Sequence, residues 1–125
     1  MSRIQLSLNV SDLDEAIGFY TRLFDAQPAK VRPGYANFAI EDPPLKLVLN
    51  APGNGPAGTI NHLGVEVFST DDIDHVQARL AAGGLDPEPE PEALCCYARQ
   101  HKTWVSGPDG LAWEYYTVLD HAETP

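Results

Sequence analysis

Residues Ile4 to Val10 alternate strictly, with Ile4, Leu6, Leu8 and Val10 on one face and Gln5, Ser7 and Asn9 on the other. That period predicts a half-buried strand. Ser11 or Asp12 then caps a helix whose first turn holds Asp14 and Glu15, where the helix dipole favours acids. Leu13, Ile17, Tyr20 and Phe24 recur at helical spacing as its buried stripe. Three short strands are expected near Ala29–Val31, Tyr35–Ile40 and Leu45–Leu49, separated by turns at Pro33-Gly34 and Pro43-Pro44. Asn50 to Gly58, rich in Gly, Pro, Asn and Ala, reads as a linker with no structure of its own.

After the linker the pattern restarts. His62 to Val67 alternates, with Leu63, Val65 and Val67 on one face. Ser69 or Thr70 caps a second helix with Asp71 and Asp72 in its first turn. Ile73, Val76 and Leu80 form its stripe, and Gly83-Gly84 stop it. Pro87, Pro89 and Pro91 make Asp86 to Glu92 extended and unable to pair as a central strand. Strands follow near Cys96–Arg99, Lys102–Val105 and Ala112–Val118, with a strong turn at Gly107-Pro108-Asp109-Gly110.

The chain therefore reads βαβββ, linker, βαβββ, an internal repeat of about 60 residues. The expected fold is α+β, one domain over residues 1–125: a first repeat about 1–50, a linker about 51–60, a second repeat about 61–119 and a tail 120–125. Superposing the repeats sets Gln5 opposite His62 and Lys46 opposite Glu114.

Composition narrows the partners. With 125 residues the chain is long enough for a core without disulfide or metal staples. A formal charge of -10, with eight scattered Lys and Arg, argues against nucleic acid or an anionic membrane surface. No apolar run approaches the roughly 20 residues of a bilayer span. The first residues alternate and lack the apolar run of a signal peptide, so a cytoplasmic protein with reduced thiols is expected.

Gln5, His62 and Glu114 lie at related places: the first strand of each repeat and the last strand of the second. A glutamine on a strand commonly faces solvent, and a histidine commonly packs without a metal. Glu114, between Trp113 and Tyr115, carries more weight, because an inward carboxylate needs a partner. If the two units form curved sheets packed edge to edge, the three would face a shared metal-binding cleft. One nitrogen and two oxygen donors with open positions suit a divalent transition metal, close to the facial triad of non-haem Fe(II) oxygenases.

The chain resembles the vicinal oxygen chelate (glyoxalase/bleomycin resistance/extradiol dioxygenase) superfamily, which also includes fosfomycin-resistance proteins. It is most similar to the branch of organoarsenical C–As lyases and cadmium-induced, CadI-like proteins. The resemblance is carried by Gln5-Leu6, Pro28-Ala29-Lys30, Arg32 to Ile40, Pro43 to Leu49, Asn61 to Val67, Cys95-Cys96-Tyr97-Ala98, Trp104-Val105 and Trp113-Glu114. It implies that Gln5, His62 and Glu114 bind Fe(II) and are catalytic, and that Cys95 and Cys96 bind substrate. Zn(II), Ni(II) or Mn(II) would also be accepted by such donors. Glyoxalase I enzymes carry a fourth protein ligand on the last strand of the first half; Leu45 to Leu49 here offers neither acid nor histidine. His101 stands where relatives would have Asp and is expected on a turn beside Lys102, solvated or near the pocket mouth.

Cys95 and Cys96 are the only cysteines and are adjacent. They read either as two small buried residues or as a clamp for a thiophilic centre such as trivalent arsenic, Cd(II) or Cu(I). In a regular strand their side chains would point to opposite faces, so acting together requires irregular backbone, and the proline-rich run before them makes a loop the expected source. That loop is where most mobility is expected. Trp104, Tyr97, Trp113 and Tyr115 are candidate pocket walls. By resemblance, the pair holds a trivalent organoarsenical such as methylarsenite, which is demethylated to arsenite at the expense of dioxygen. A non-catalytic cadmium- or arsenic-binding resistance protein and another enzyme of the superfamily are the alternatives. A homodimer paired across a sheet edge is left open.

Overall fold

The computed structural model describes residues 2–123. The chain runs β1 (Arg3–Asn9), α1 (Leu13–Phe24), β2 (Lys30–Arg32), β3 (Tyr35–Ile40), β4 (Leu45–Asn50), β5 (Ile60–Glu66), α2 (Thr70–Ala82), β6 (Glu88–Cys95), β7 (Ala98–Ser106) and β8 (Ala112–His121). The βαβββ plan thus appears twice, and the α+β class read from the sequence stands. Two compact units divide inside β5, one covering Arg3–Leu63 and the other continuing from Gly64.

In Arg3–Leu63 the strand order is β2-β3-β4-β1, with β5 next to β1. β1 and β4 run parallel, with Gln5 beside Lys46, Ser7 beside Val48 and Asn9 beside Asn50. The Asp12 carboxylate accepts from the Glu15 amide and caps α1, and Asp25 ends it in the left-handed region at φ 50°. Leu13, Ile17, Tyr20 and Phe24 pack with Leu6 and Leu8 on a core of Ala36, Phe38, Ile40, Leu47 and Leu49.

β1 is not half-buried. Leu6, Leu8 and Val10 pack under the helix as expected while Ile4 is exposed, and Gln5, Ser7 and Asn9 are buried more deeply, at 5%, 0% and 1% exposure. Alternation reports that two faces differ, not which is deeper, and a polar row can be buried when every member finds a partner.

In the unit from Gly64 the order is β5-β8-β7-β6, and α2 packs on β7 and β8 through buried Ile73 and Leu80. Ser69 caps α2 through the Asp72 amide. The proline-rich stretch is itself a strand. β6 lies at the edge and pairs antiparallel with β7, its register shifting between Glu90 and Ala93. An edge strand tolerates proline because one row of its amides has no ladder to serve. The two strands expected over residues 96–105 are one strand, β7, and β8 extends to His121 opposite Ala98. His101 accordingly sits within β7 rather than on a turn. Its Nε2 lies 3.2 Å from Asp74 Oδ1 of α2, and its Nδ1 lies 3.2 Å from the Pro91 carbonyl.

Candidate active site

The two expected ligands of the first unit meet. Gln5 Nε2 lies 3.1 Å from His62 Nε2, and His62 Nδ1 lies 2.7 Å from Asn61 Oδ1. A neutral imidazole has one N–H and one lone pair. If Nδ1 donates to Asn61, the Nε2 lone pair faces the Gln5 amide. A metal ligand needs that lone pair, and a carbonyl on the far nitrogen is the usual way to fix it. The Gln5 amide nitrogen faces His62; presenting its oxygen as a donor takes a half-turn of the terminal amide.

Lys46, beside Gln5 in the β1–β4 register, occupies the strand region where a fourth ligand would stand. A protonated lysine has no lone pair to give. This supports a site that leaves more coordination positions to exogenous ligands.

Glu114 is buried on β8, 3% exposed, and its Oε1 accepts from Lys102 Nζ at 2.6 Å. Lys102, 2% exposed on β7, lies 5.3 Å from the Trp104 ring centroid and 5.8 Å from that of Tyr116. Burial by itself would depress the lysine pKa; the Glu114 charge, with smaller help from the two thiols, outweighs it and raises the value above the ordinary range. A carboxylate has two oxygens and about four lone-pair sites, so the bond to Lys102 leaves donor capacity for a cation. The donor types and their anchoring therefore fit a divalent ion of the kind proposed from the sequence. Among the described residues no three His, Cys, Asp or Glu side chains form a metal-holding group; the candidate set has only two of those types.

Cys95 ends β6 and pairs with Ala98, so Cys96 and Tyr97 are the whole connection to β7. Their φ values are 56° and 60°. Positive φ at both central residues is the mirror-image type I turn, the connection whose twist matches a hairpin. It is usually built from Asn-Gly, and cysteine and tyrosine there are strained. The thiols consequently lie together, Sγ to Sγ 3.0 Å. The irregular backbone required for joint action is thus a tight turn rather than a proline-rich loop. Gln100 Nε2 donates to the Cys95 carbonyl at 3.1 Å and ties the turn to β7.

Hydrogen bonding to Cys95 is the main reason that Cys96 holds its proton far above the ordinary thiol range; burial and the adjacent Cys95 charge add to this, and Lys102 opposes it. Once one thiol ionises, the other donates to it and its own proton is retained.

The aromatic walls divide. Trp104 registers opposite Glu114 and shares the face of Lys102. Tyr115 lies on the other face of β8, with Arg79 of α2 5.9 Å from its ring centroid. Trp113, two residues before it, shares that helix-side face by alternation. Neither therefore joins Glu114. The sequence reading missed Asn61, Gln100 and Lys102. The signal for Lys102 was present: Glu114 needed a buried partner, and Lys102 sits at an alternating position of a neighbouring strand.

The βαβββ plan repeated twice defines a class of α+β fold, and comparison gives it a family: residues 3–115 match the Glyoxalase/Bleomycin resistance protein/Dioxygenase superfamily, to which the chain belongs. Among individual relatives, it is 60% identical over 125 residues to the cadmium-induced protein CadI of Mycobacterium tuberculosis, covering 99% of this chain and 81% of that one. It is 52% identical over 124 residues to the trivalent organoarsenical cleaving enzyme of Thermomonospora curvata, covering 99% and 82%. The Mn(II)-bound glyoxalase from Novosphingobium aromaticivorans shares the fold at TM-score 0.66 and 21% identity, over 100% of this chain and 43% of that one. The superfamily and the branch recognised in the sequence are both borne out. No described helix is long and apolar enough to cross a membrane.

Proposed function

We propose that the protein cleaves the carbon–arsenic bond of trivalent organoarsenicals such as methylarsenite, releasing arsenite, in a cytoplasmic reaction that depends on Fe(II) and dioxygen. The observation that carries this reading is the thiol pair: Cys95 and Cys96 brought to 3.0 Å by a left-handed turn. Its weight comes from the 52% identity to an organoarsenical cleaving enzyme.

The chain's own part begins at the thiols. Each replaces one hydroxyl on the arsenic of methylarsenite: two As–S bonds form, two As–OH bonds break, and each thiol proton leaves in a water molecule. No electron is exchanged. Arsenic is soft, and thiolates are its preferred donors. Gln100 keeps the turn in place by holding the Cys95 carbonyl. Gln5, His62 and Glu114 are the residues that would hold the metal, with Ni(II), Zn(II) or Mn(II) as substitutes. When bound, Fe(II) supplies open positions at which dioxygen can be used. Asn61 keeps the His62 lone pair turned toward Gln5, and Lys102 orients the Glu114 carboxylate.

The test is an aerobic assay of Fe(II)-loaded protein with methylarsenite, with arsenic species separated by chromatography. Arsenite should appear only with Fe(II) and air, and the rate should fall more than about a hundredfold in both His62→Ala and Cys96→Ser. Turnover that persists in both variants sinks the assignment.

The 60% identity to a cadmium-induced protein favours a second reading, in which the thiols sequester Cd(II) or As(III) without turnover. Tight Cd(II) binding that survives Glu114→Ala, with no arsenite released under any metal, would establish it.

A further inference from the structure

A run of side-chain amides reaches from the linker to the candidate metal histidine, and its orientation can be deduced link by link. The Asn54 backbone N–H lies 3.1 Å from one of the two polar atoms of the Asn9 side-chain amide. A backbone N–H can only donate, so the Asn9 atom it meets is the carbonyl Oδ1. The Asn9 amide nitrogen then donates to Asn54 Oδ1 at 3.1 Å and Thr59 Oγ1 at 2.9 Å. With Asn9 oriented, the Asn61 atom 2.9 Å from Asn9 Oδ1 must be the donor Nδ2. Asn61 Oδ1 therefore faces His62 Nδ1 at 2.7 Å and can only accept, so Nδ1 carries the hydrogen. The lone pair of His62 is left on Nε2, toward Gln5.

The packing around Asn9 agrees. A Cβ added to Gly53 would collide with Asn9 Oδ1 and Cγ and lie 2.6 Å from Asn9 Cβ. The linker backbone closes on this amide so tightly that only glycine fits. Backbone bonds from Asn9 to Thr59 and from Gly58 to Asn9, at 2.9 and 2.8 Å, hold the same segment.

We infer that Asn9 and Asn61 are positioning residues that lock His62 in its Nδ1–H tautomer, with the Asn54 amide of the linker as the fixed end of the relay. The inference rests on the metal-site reading for its functional consequence, but the tautomer itself does not depend on it. The linker is then a working part of the site: it sets, before any metal arrives, which nitrogen can bind one. An imidazole without this bond would divide between two tautomers, and one of them points an N–H at the site.

The test needs no variant to be decisive. A long-range proton–nitrogen correlation spectrum of metal-free protein at about pH 8, above the imidazole range, should show His62 protonated on Nδ1. Protonation on Nε2 in the unaltered protein overturns the inference. Asn61→Ala should give a mixture of tautomers or the Nε2–H form. It should also weaken Mn(II) binding about 10–100-fold, the usual cost of losing an outer-shell partner. The free-ion electron paramagnetic resonance signal of Mn(II) reports that binding, and the ion avoids the thiols because it prefers oxygen and nitrogen donors. Asn9→Asp keeps the acceptor that orients Asn61, so it should retain the Nδ1–H tautomer even if the protein is less stable. A merely structural role for the asparagines would change stability without moving the tautomer. If Asn61→Ala keeps the tautomer and the Mn(II) affinity while His62→Ala loses the metal, the relay fails and the metal site stands. If His62→Ala binds Mn(II) like the unaltered protein, the metal reading fails, while the spectrum still reports the relay.

Discussion

Residues Arg3–Leu63 bury Gln5, Ser7, Asn9 and Asn37, all neutral; the unit from Gly64 buries Lys102 and Glu114 and half-buries two thiols. The first set is satisfied by amides and hydroxyls: Asn50 Nδ2 donates to Ser7 Oγ at 2.9 Å, and Asn37 Nδ2 donates to the Tyr35 hydroxyl at 2.9 Å. Such networks fix direction at small electrostatic cost. The second set stores charge, and buried charge is tolerable only while its partner remains. One plan, used twice, thus supplies aim in one unit and reactivity in the other. The division suits the proposed chemistry: a ligand lone pair has to be pointed, whereas a buried carboxylate has to keep its charge and a thiol pair has to be held together.

The sharpest break of that contrast is Lys102→Ala. It removes the cation that faces the buried Glu114 carboxylate and should cost about 3–5 kcal/mol in urea unfolding. The double variant Lys102→Met, Glu114→Leu should recover most of that loss, since a buried pair exchanged for apolar groups is often neutral. If the single variant costs no more than a surface substitution, the charge is not stored there. The pH dependence follows the same bond. Because the Lys102 pKa is raised in the folded state, its contribution is complete below the unfolded value, about 10.4, and is lost as pH climbs through the higher folded value. Stability should therefore hold on the alkaline side until about pH 10 and fall above it.

The thiol pair gives the next effect. Cys96 keeps its proton well above the ordinary thiol range, so between pH 6 and 8 it begins protonated. Cd(II) must displace that proton, and its affinity should rise at least about tenfold per pH unit. Methylarsenite condenses with the same thiols and loses its hydroxyls as water, so its affinity should not rise over that range. Titrations of Fe(II)-free protein with each ligand at three pH values make the comparison. A Cd(II) affinity that does not change with pH would mean that Cys96 is already ionised and that Lys102 outweighs the bond between the sulfurs.

In the neutral unit, Gly53→Ala tests the amide network without touching any candidate ligand. The added methyl meets the Asn9 amide, and overpacking of this kind costs about 1–3 kcal/mol. Thermal unfolding should register it. A tolerated alanine would show that the linker backbone is not pressed against Asn9.

Much of this was legible from one chain. The repeated period and both helix caps could be read because each depends on neighbours in sequence. Depth could not. Gln5, Ser7 and Asn9 alternate with aliphatics, and nothing local says that His62, Asn50, Thr59 and Asn61 will satisfy them from as many as 57 residues away. β6 was obscured because proline excludes a central strand but not an edge, and edge position is a property of the sheet. The adjacent thiols announced chemistry, yet their convergence depends on two non-glycine residues in the left-handed region, which composition does not advertise.

That turn supports the smallest prediction and the most direct statement of how the charged unit differs. Asparagine is the preferred first residue of a mirror-image type I turn because its short amide tolerates positive φ. Cys96, at φ 56°, is partly exposed, so little packing is lost on replacement. Cys96→Asn should therefore stabilise the protein by about 1 kcal/mol while abolishing two-thiol binding of arsenicals. A substitution that improves the fold and removes the ligand would mean that the strain is retained for the clamp. Urea unfolding of Cys96→Asn beside Cys96→Ser separates the terms, because serine loses the thiol without gaining the backbone preference. If asparagine is no more stable than serine, the turn is relaxed and the thiols are held together by their surroundings instead.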